Sequence, residues 1–211
     1  MLIDRDGLTA VLAVASKWGS DYVDVFIEEA HTAQIFCEQD RIERVTAGVD
    51  AGAGIRVIVG ETTAYAYTND LSLDALKEAA EVAAAAARGQ AGFTGINLCR
   101  RYPTFELPIM IRPETVAVAD KVSIVEQANQ AARKADRRVK QVTVSYRDIS
   151  QKVIIANSMG GWVEDERIRT NLALNVIAME DDRIQTGFES RGGIIGFELF
   201  EQEDPMEMAV K

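Results

Sequence analysis

His31 is the one histidine of the chain, and Glu28, Glu29 and Cys37 lie close to it in sequence. Imidazole, carboxylate and thiolate are all zinc ligands, but a structural zinc site takes about four of them at defined spacing. His31 reads as a residue of a strand connection, and the set falls short. Two acidic runs, Glu164-Asp165-Glu166 and Glu180-Asp181-Asp182, bring carboxylates together. Such groups can hold Ca²⁺ or work as an acid and base pair. These runs have neither the ligand spacing of a calcium loop nor a partner nucleophile, and read as solvated turns. Arg133, Lys134, Arg137, Arg138 and Lys140 form a basic run at the end of a helical pattern. Cations there complement the helix dipole, and a grip on an anionic partner is the alternative. No catalytic residue and no metal ligand is assigned.

Two glycine clusters need a separate test. Gly52-Ala53-Gly54 leads into the β-branched run IRVIV. A phosphate-binding loop needs its glycines to open a helix whose N-terminus holds the anion, so this cluster is expected to serve a strand connection. The second cluster is Ser190-Arg191-Gly192-Gly193, with Gly196 just beyond. It is either a bulged strand end or an exposed backbone edge that adds to an extended peptide by strand pairing.

These residues are positioned by elements that alternate between helical and strand periodicity. Leu8, Val11, Leu12, Ala15 and Trp18 recur at helical spacing, with Asp6 as the cap and Gly19 as the stop. From Asp21 the period becomes two: Val23, Val25 and Ile27 alternate with more polar positions, the pattern breaks at residues 30–32, and AQIFCE resumes it. Residues 41–45 and 55–59 read as strands joined through the glycine-bearing segment 47–54. Gly60-Glu61 turns the chain into TAYAYT, where Ala64 and Ala66 face opposite to Tyr65 and Tyr67. A helix follows, with Ser72 as N-cap, Asp74 in its first turn, Arg88 in its last and Gly89 as its stop. This gives a helix, four or five antiparallel strands and a helix, because the connections are too short for crossovers.

Residues 90–112 lose the periodicity at Gly92, Gly95, Pro103 and Pro108 and read as a linker. Its Phe93, Leu98, Tyr102, Phe105 and Leu107 imply that it lies against a surface. A second helix pattern runs through Val118, Val122, Val125, Ala128 and Ala132 to about Asp136. VTVSYRD, KVIIANS, a Met159-Gly160-Gly161 turn, WVEDE, RIRTNLALNVIAME and DRIQTGFES then read as an antiparallel meander. Each half opens on a long helix and continues into strands, as a duplication would leave it, and the second half has no clear closing helix.

The formal net charge of −10 argues against direct contact with nucleic acid, since affinity for a phosphate backbone comes from Lys and Arg. Cys37 and Cys99 sit in no CxxC and read as free thiols in a reducing cytoplasm. The first residues lack the long apolar run of a signal peptide or membrane span.

The order R-I-E-R-V, G-A-G-I-R-V, Y-A-Y-T-N-D-L and an alanine-rich helix resembles the N-terminal region of the TldD/PmbA family, also known as modulators of DNA gyrase. Residues 142–178 and the glycine-rich stretch 187–200 resemble the strands that precede that family's active site, and residues 191–196 stand closer to the TldD branch than to TldE. The resemblance implies a zinc metallopeptidase whose HExxxH motif and later metal-binding cysteine lie in a C-terminal domain. No HExxxH occurs in this sequence, so zinc is expected in that further domain and the chemistry is carried over to no residue here.

The reading is therefore α+β, with a helix-plus-antiparallel-sheet subdomain over 1–89, a linker over 90–112 and a second such subdomain over 113–211. The expected role is the N-terminal domain of a TldD-like metallopeptidase acting on small or unfolded peptides. It would supply substrate access and contacts to a TldE/PmbA-like partner or to another copy, without membrane or nucleic acid, and with Ser190, Arg191, Gly192 and Gly193 as the peptide-binding strand edge. The alternative is a free-standing non-catalytic module that pairs with a full-length homologue. A hydrolase using the acidic runs is a third reading, which no spacing supports.

Overall fold

The computed structural model describes residues 3–88, 96–101 and 108–210. The opening helix, α1 (Arg5–Ala15), is capped by Asp4, whose carboxylate accepts the Gly7 N–H at 2.8 Å. Asp6, the expected cap, lies in the first turn instead. Asp4 takes the position because it is the residue with extended backbone whose side chain reaches back to a free N–H.

Three strands follow: β1 (Tyr22–Glu38), β2 (Arg41–Val59) and β3 (Thr62–Thr68). The expected breaks at 30–32 and 47–54 do not occur, so three long strands replace the four or five shorter ones. Along β1 the positions that enter a core are Val23, Val25 and Ile27 at one end and Ala33, Ile35 and Cys37 at the other, with Ala30 also buried between them. These groups enter two separate cores. The residues between them need not be apolar, and the sequence pattern fades there although the strand continues. The glycines of β2 follow the same logic. Positive φ is confined among described glycines to Gly19, Gly60 and Gly160, so Gly52 and Gly54 are extended strand residues, not turn residues.

Gln39 and Asp40 join β1 to β2 with φ of 51° and 61°. Positive φ at both central residues is the signature of a type I′ hairpin, here built without glycine. Asp40 is held by Asn129 and Arg133, which donate to its carboxylate at 2.8 and 2.9 Å. Gly60-Glu61 joins β2 to β3 in register, with Val59 opposite Thr62. Ala66 faces the core and Tyr67 is 81% exposed, as the alternation of TAYAYT requires. Helix α2 (Leu73–Ala87) starts at Ser72, whose hydroxyl accepts the Ala75 N–H at 3.4 Å, and Asp74 lies in its first turn. Arg88 is its C-cap residue, and Gly89 lies outside the described residues.

Within the stretch read as a linker, the short strand β4 (Cys99–Arg101) pairs in parallel with a later strand. Leu98 is buried in a core, while Phe93, Tyr102, Phe105 and Leu107 lie outside the described residues. A single 3₁₀ turn (Pro113–Thr115) precedes α3 (Val118–Ala135), which ends at Asp136. Then come β5 (Val139–Asn157), β6 (Gly161–Glu180) and β7 (Arg183–Gly193). Two short helices, α4 (Leu199–Gln202) and α5 (Pro205–Ala209), close the second half. Helix α5 falls on DPMEMAVK, whose pattern reads as the start of a helix, whereas α4 is shorter than the window that periodicity needs.

The strands form one sheet in the order β3-β2-β1-β5-β6-β4, with β7 also on β6. The fold is α+β, and β4 on β6 is the parallel exception to the antiparallel hairpins. The order of a helix, three strands and closing helices occurs in both halves. The chain forms two compact units. In the first, α1 and α2 cover the inner face of β1, β2 and β3, burying Leu8, Leu12, Val25, Ile55, Leu76 and Ala80. In the second, α3 and α5 cover Ile35, Val142, Val144, Tyr146, Leu172 and Leu174. No described helix is long and apolar enough to cross a membrane.

Candidate functional site

Strand β7 pairs with β6 over eleven positions, from Arg183 opposite Glu180 to Gly193 opposite Thr170. Among the described residues it pairs with β6 alone, which leaves its other edge a row of backbone donors and acceptors. Such a row is a template for a further strand. Ser190, Arg191, Gly192 and Gly193 end this strand and lie opposite Ala173, Leu172, Asn171 and Thr170.

The local chemistry explains the glycines. A Cβ on Gly192 would fall 2.5 Å from the Thr170 carbonyl oxygen, whereas one on Gly193 would meet nothing within 4 Å. Gly192 therefore permits close approach to β6 and Gly193 leaves an open edge. Asn171 fixes the end of the ladder, donating to the Ser190 hydroxyl at 3.0 Å and the Arg191 carbonyl at 3.2 Å. Arg191 is anchored by Glu189 and by Glu203, the latter at 3.6 Å.

Beyond the glycines, the chain is tied down by Glu198. This carboxylate is buried and accepts the Ile111 N–H at 2.9 Å and the Gly196 N–H at 3.1 Å. Burial pushes its pKa up, but the N–H groups of Ile111, Glu198 itself, Gly196 and Met110 outweigh that and hold it below the ordinary carboxylate range. Gly196 is glycine for space, since a Cβ would run into the Ile111 carbonyl and this carboxylate. Beside β7 lies an apolar hollow of about 400 Å³, lined by Ala132, Ala135, Leu174, Val176, Phe188 and Met208 among others. Phe188 is 73% exposed and Ile184 58%.

The second unit also buries a polar group that sequence reasoning missed. Lys121 of α3 donates to Asp148 at 2.6 Å, and the Tyr146 hydroxyl donates to the same oxygen at 2.5 Å. Lys121 and Asp148 are almost wholly buried. Burial first, then the bond to Asp148, pushes the Tyr146 phenol well above its ordinary range. The available signal was charge where periodicity calls for apolar residues: Lys121 lies on the buried stripe of α3, and Asp148 continues the inward alternation of Val142, Val144 and Tyr146.

The other candidate residues are dispersed. His31 is a half-buried residue inside β1, not part of a connection. Cys37 is buried in the second unit's core. Burial, followed by Asp40 and Glu126, raises its pKa, so it is a thiol at neutral pH. Cys99 is exposed, and both cysteines are free. Among the described residues, no group of three or more His, Cys, Asp or Glu is arranged to hold a metal ion. Glu164, Asp165 and Glu166 lie within β6, not in a turn, and Glu164 pairs with Arg100 of β4. The sequence could not show this because the partner belongs to a strand of three residues. Glu180, Asp181 and Asp182 do make a turn, with Asp181 at φ 53°. Of the basic run, Arg133 and Lys134 end α3, Arg133 also bonds Asp40, and Arg138 pairs with Asp136 and Glu180.

Two helix-backed antiparallel meanders, the second ending in a glycine-bearing edge strand, fall on two domain models of a metallopeptidase family. A model of the PmbA/TldA metallopeptidase domain 1 matches residues 23–87, and one of the central domain matches residues 111–211. The chain belongs to the PmbA/TldD family. A Haemophilus influenzae metalloprotease TldD homologue is 24% identical over 92% of this chain and 40% of its own length. A Methanothermobacter thermautotrophicus metalloprotease is 29% identical over 99% of this chain and 45% of its own. The crystal structure of TldE from Thermococcus kodakarensis shares the fold, with a TM-score of 0.69 at 16% identity, covering 97% of this chain and 46% of that one. The chain thus spans less than half the length of these relatives.

Proposed function

We propose that these residues are the N-terminal portion of a TldD-like metallopeptidase acting on small or unfolded peptides. They supply substrate access and contacts to a TldE/PmbA-like subunit, and zinc belongs to the family's C-terminal domain. A cytoplasmic heterodimer is part of the same reading, and so is a division near residues 90–112, which the spacing of the two family matches supports. The carrying observation is the outer edge of β7: a strand paired on one side, ending in Ser190-Arg191-Gly192-Gly193 and flanked by an apolar hollow. Main-chain hydrogen bonds accept any unfolded sequence, and the hollow gives apolar side chains a place to settle.

Strand addition depends on the peptide's own N–H groups, which gives the test. A fluorescent, charge-neutral unfolded peptide is titrated with the purified chain and followed by anisotropy, alongside a version N-methylated on consecutive residues so that both of its pairing edges are blocked. The expected result is saturable binding that a chelator leaves unchanged and N-methylation weakens at least tenfold. Equal binding of both peptides would overturn the edge reading, and chelator-sensitive cleavage by this chain alone would overturn the accessory role.

A further inference from the structure

The first unit carries a second concave surface, on the sheet face turned away from α1 and α2. Val23, Val25, Ile27, Ile55 and Ala66 face the helices, so Phe26, Gly54, Tyr65 and Tyr67 face outward. They border a cleft of about 420 Å³. Tyr65 lies over Gly54 so closely that a Cβ there would fall 2.0 Å from the tyrosine hydroxyl oxygen. Tyr67 stands 81% exposed, with Phe26 and Tyr65 also presented to solvent.

The charge around this cleft has one sign. Glu28 and Asp50 line it and no lysine or arginine does. Arg56, the nearest cation in sequence on the same face, is committed to Asp24 through two hydrogen bonds of 2.8 and 2.5 Å. Asp50 is exposed and has no ion pair among the described residues. Glu28 receives a neutral donor, the Gln151 amide at 2.9 Å, and keeps its charge uncompensated. Three aromatic rings with two unneutralised carboxylates favour a cation, which gains from ring faces and from carboxylates together. The acidic balance of the whole chain adds long-range attraction of the same sign.

We infer that this cleft binds a basic side chain, lysine or arginine, of an extended polypeptide segment, with Tyr67 and Tyr65 against the cation's stem and head and Asp50 and Glu28 as its counter-charges. A polypeptide fits better than a small cation because the cleft is open and its lining runs along the strands, from Asp50 to Gly54 on β2 and from Tyr65 to Thr68 on β3. The site is separate from the β7 edge and lies wholly within the first unit.

The test compares three labelled unfolded peptides that differ only in two central residues, arginine, glutamine or glutamate, on the 211-residue chain. The arginine peptide should bind roughly tenfold tighter than the glutamine peptide, with the preference shrinking as salt rises. Tyr67→Ala or Asp50→Asn should erase the preference while leaving glutamine-peptide binding in place. Both positions are exposed, so the variants should retain the wild-type melting temperature. No preference for arginine, a preference that survives both variants, or equal competition by free argininamide would each overturn the inference. Loss of glutamine-peptide binding in either variant would also overturn it, by showing that the cleft holds peptide whatever its charge, whereas glutamine-peptide binding that N-methylation fails to weaken would speak against the β7 edge alone.

Discussion

Lys121 and Asp148 occupy positions that the periodicity of their elements reserves for apolar side chains, and each is tolerable only because the other is there. Removing one partner of a buried pair strands the other, at about 3–5 kcal/mol, whereas replacing both by apolar groups is often neutral. Lys121→Met should therefore lower unfolding stability by roughly that amount, and adding Asp148→Leu should recover much of it even though Tyr146 loses its acceptor. Chemical denaturation of the single and double variants measures both. Glu198 gives a pH-dependent counterpart. Its folded pKa lies below its unfolded value, so its contribution is full above the unfolded carboxylate range and is lost as pH falls through the folded value. Glu198→Gln should cost about 1–3 kcal/mol at neutral pH. It should also flatten the loss of stability on acidification. An acid limb as steep as that of the wild type would show that other carboxylates set it.

At the scale of elements, legibility follows from where the cores lie. Helix α2 and the β2–β3 hairpin were readable because cap, turn and apolar stripe all sit within one core. The long strands were not: β1 leaves one core and enters another, and its pattern lapses between them. The glycines at 52 and 54 were misread as a connection because a glycine in a strand and one in a turn look alike until the cross-strand neighbour is known. Gly54 pairs with Tyr67 and lies under the side chain of Tyr65, the diagonal neighbour on β3. The edge residues at 190–193 were visible as a glycine cluster, but the roles of the individual glycines needed coordinates. Gly192→Ala must push against the Thr170 backbone and should cost roughly 1–3 kcal/mol. Gly193→Ala and Gly187→Ala meet open space and should leave the melting temperature nearly unchanged. If all three behave alike, the close approach of β7 to β6 is not what Gly192 provides.

For the whole molecule, membership of the PmbA/TldD family was legible from the order of motifs along the chain, with no single diagnostic residue. The buried Lys121-Asp148-Tyr146 group was not, since it depends on which face of α3 meets which face of β5. On the proposed reading, residues 183–193 receive unfolded polypeptide along a strand edge. Hydrogen–deuterium exchange of the chain with and without a charge-neutral unfolded peptide tests it most directly. Protection concentrated in the amides of residues 183–193 is the predicted result, because an added strand would take up the free donors of β7. Saturable binding of the peptide without any slowing of exchange in that strand would contradict it.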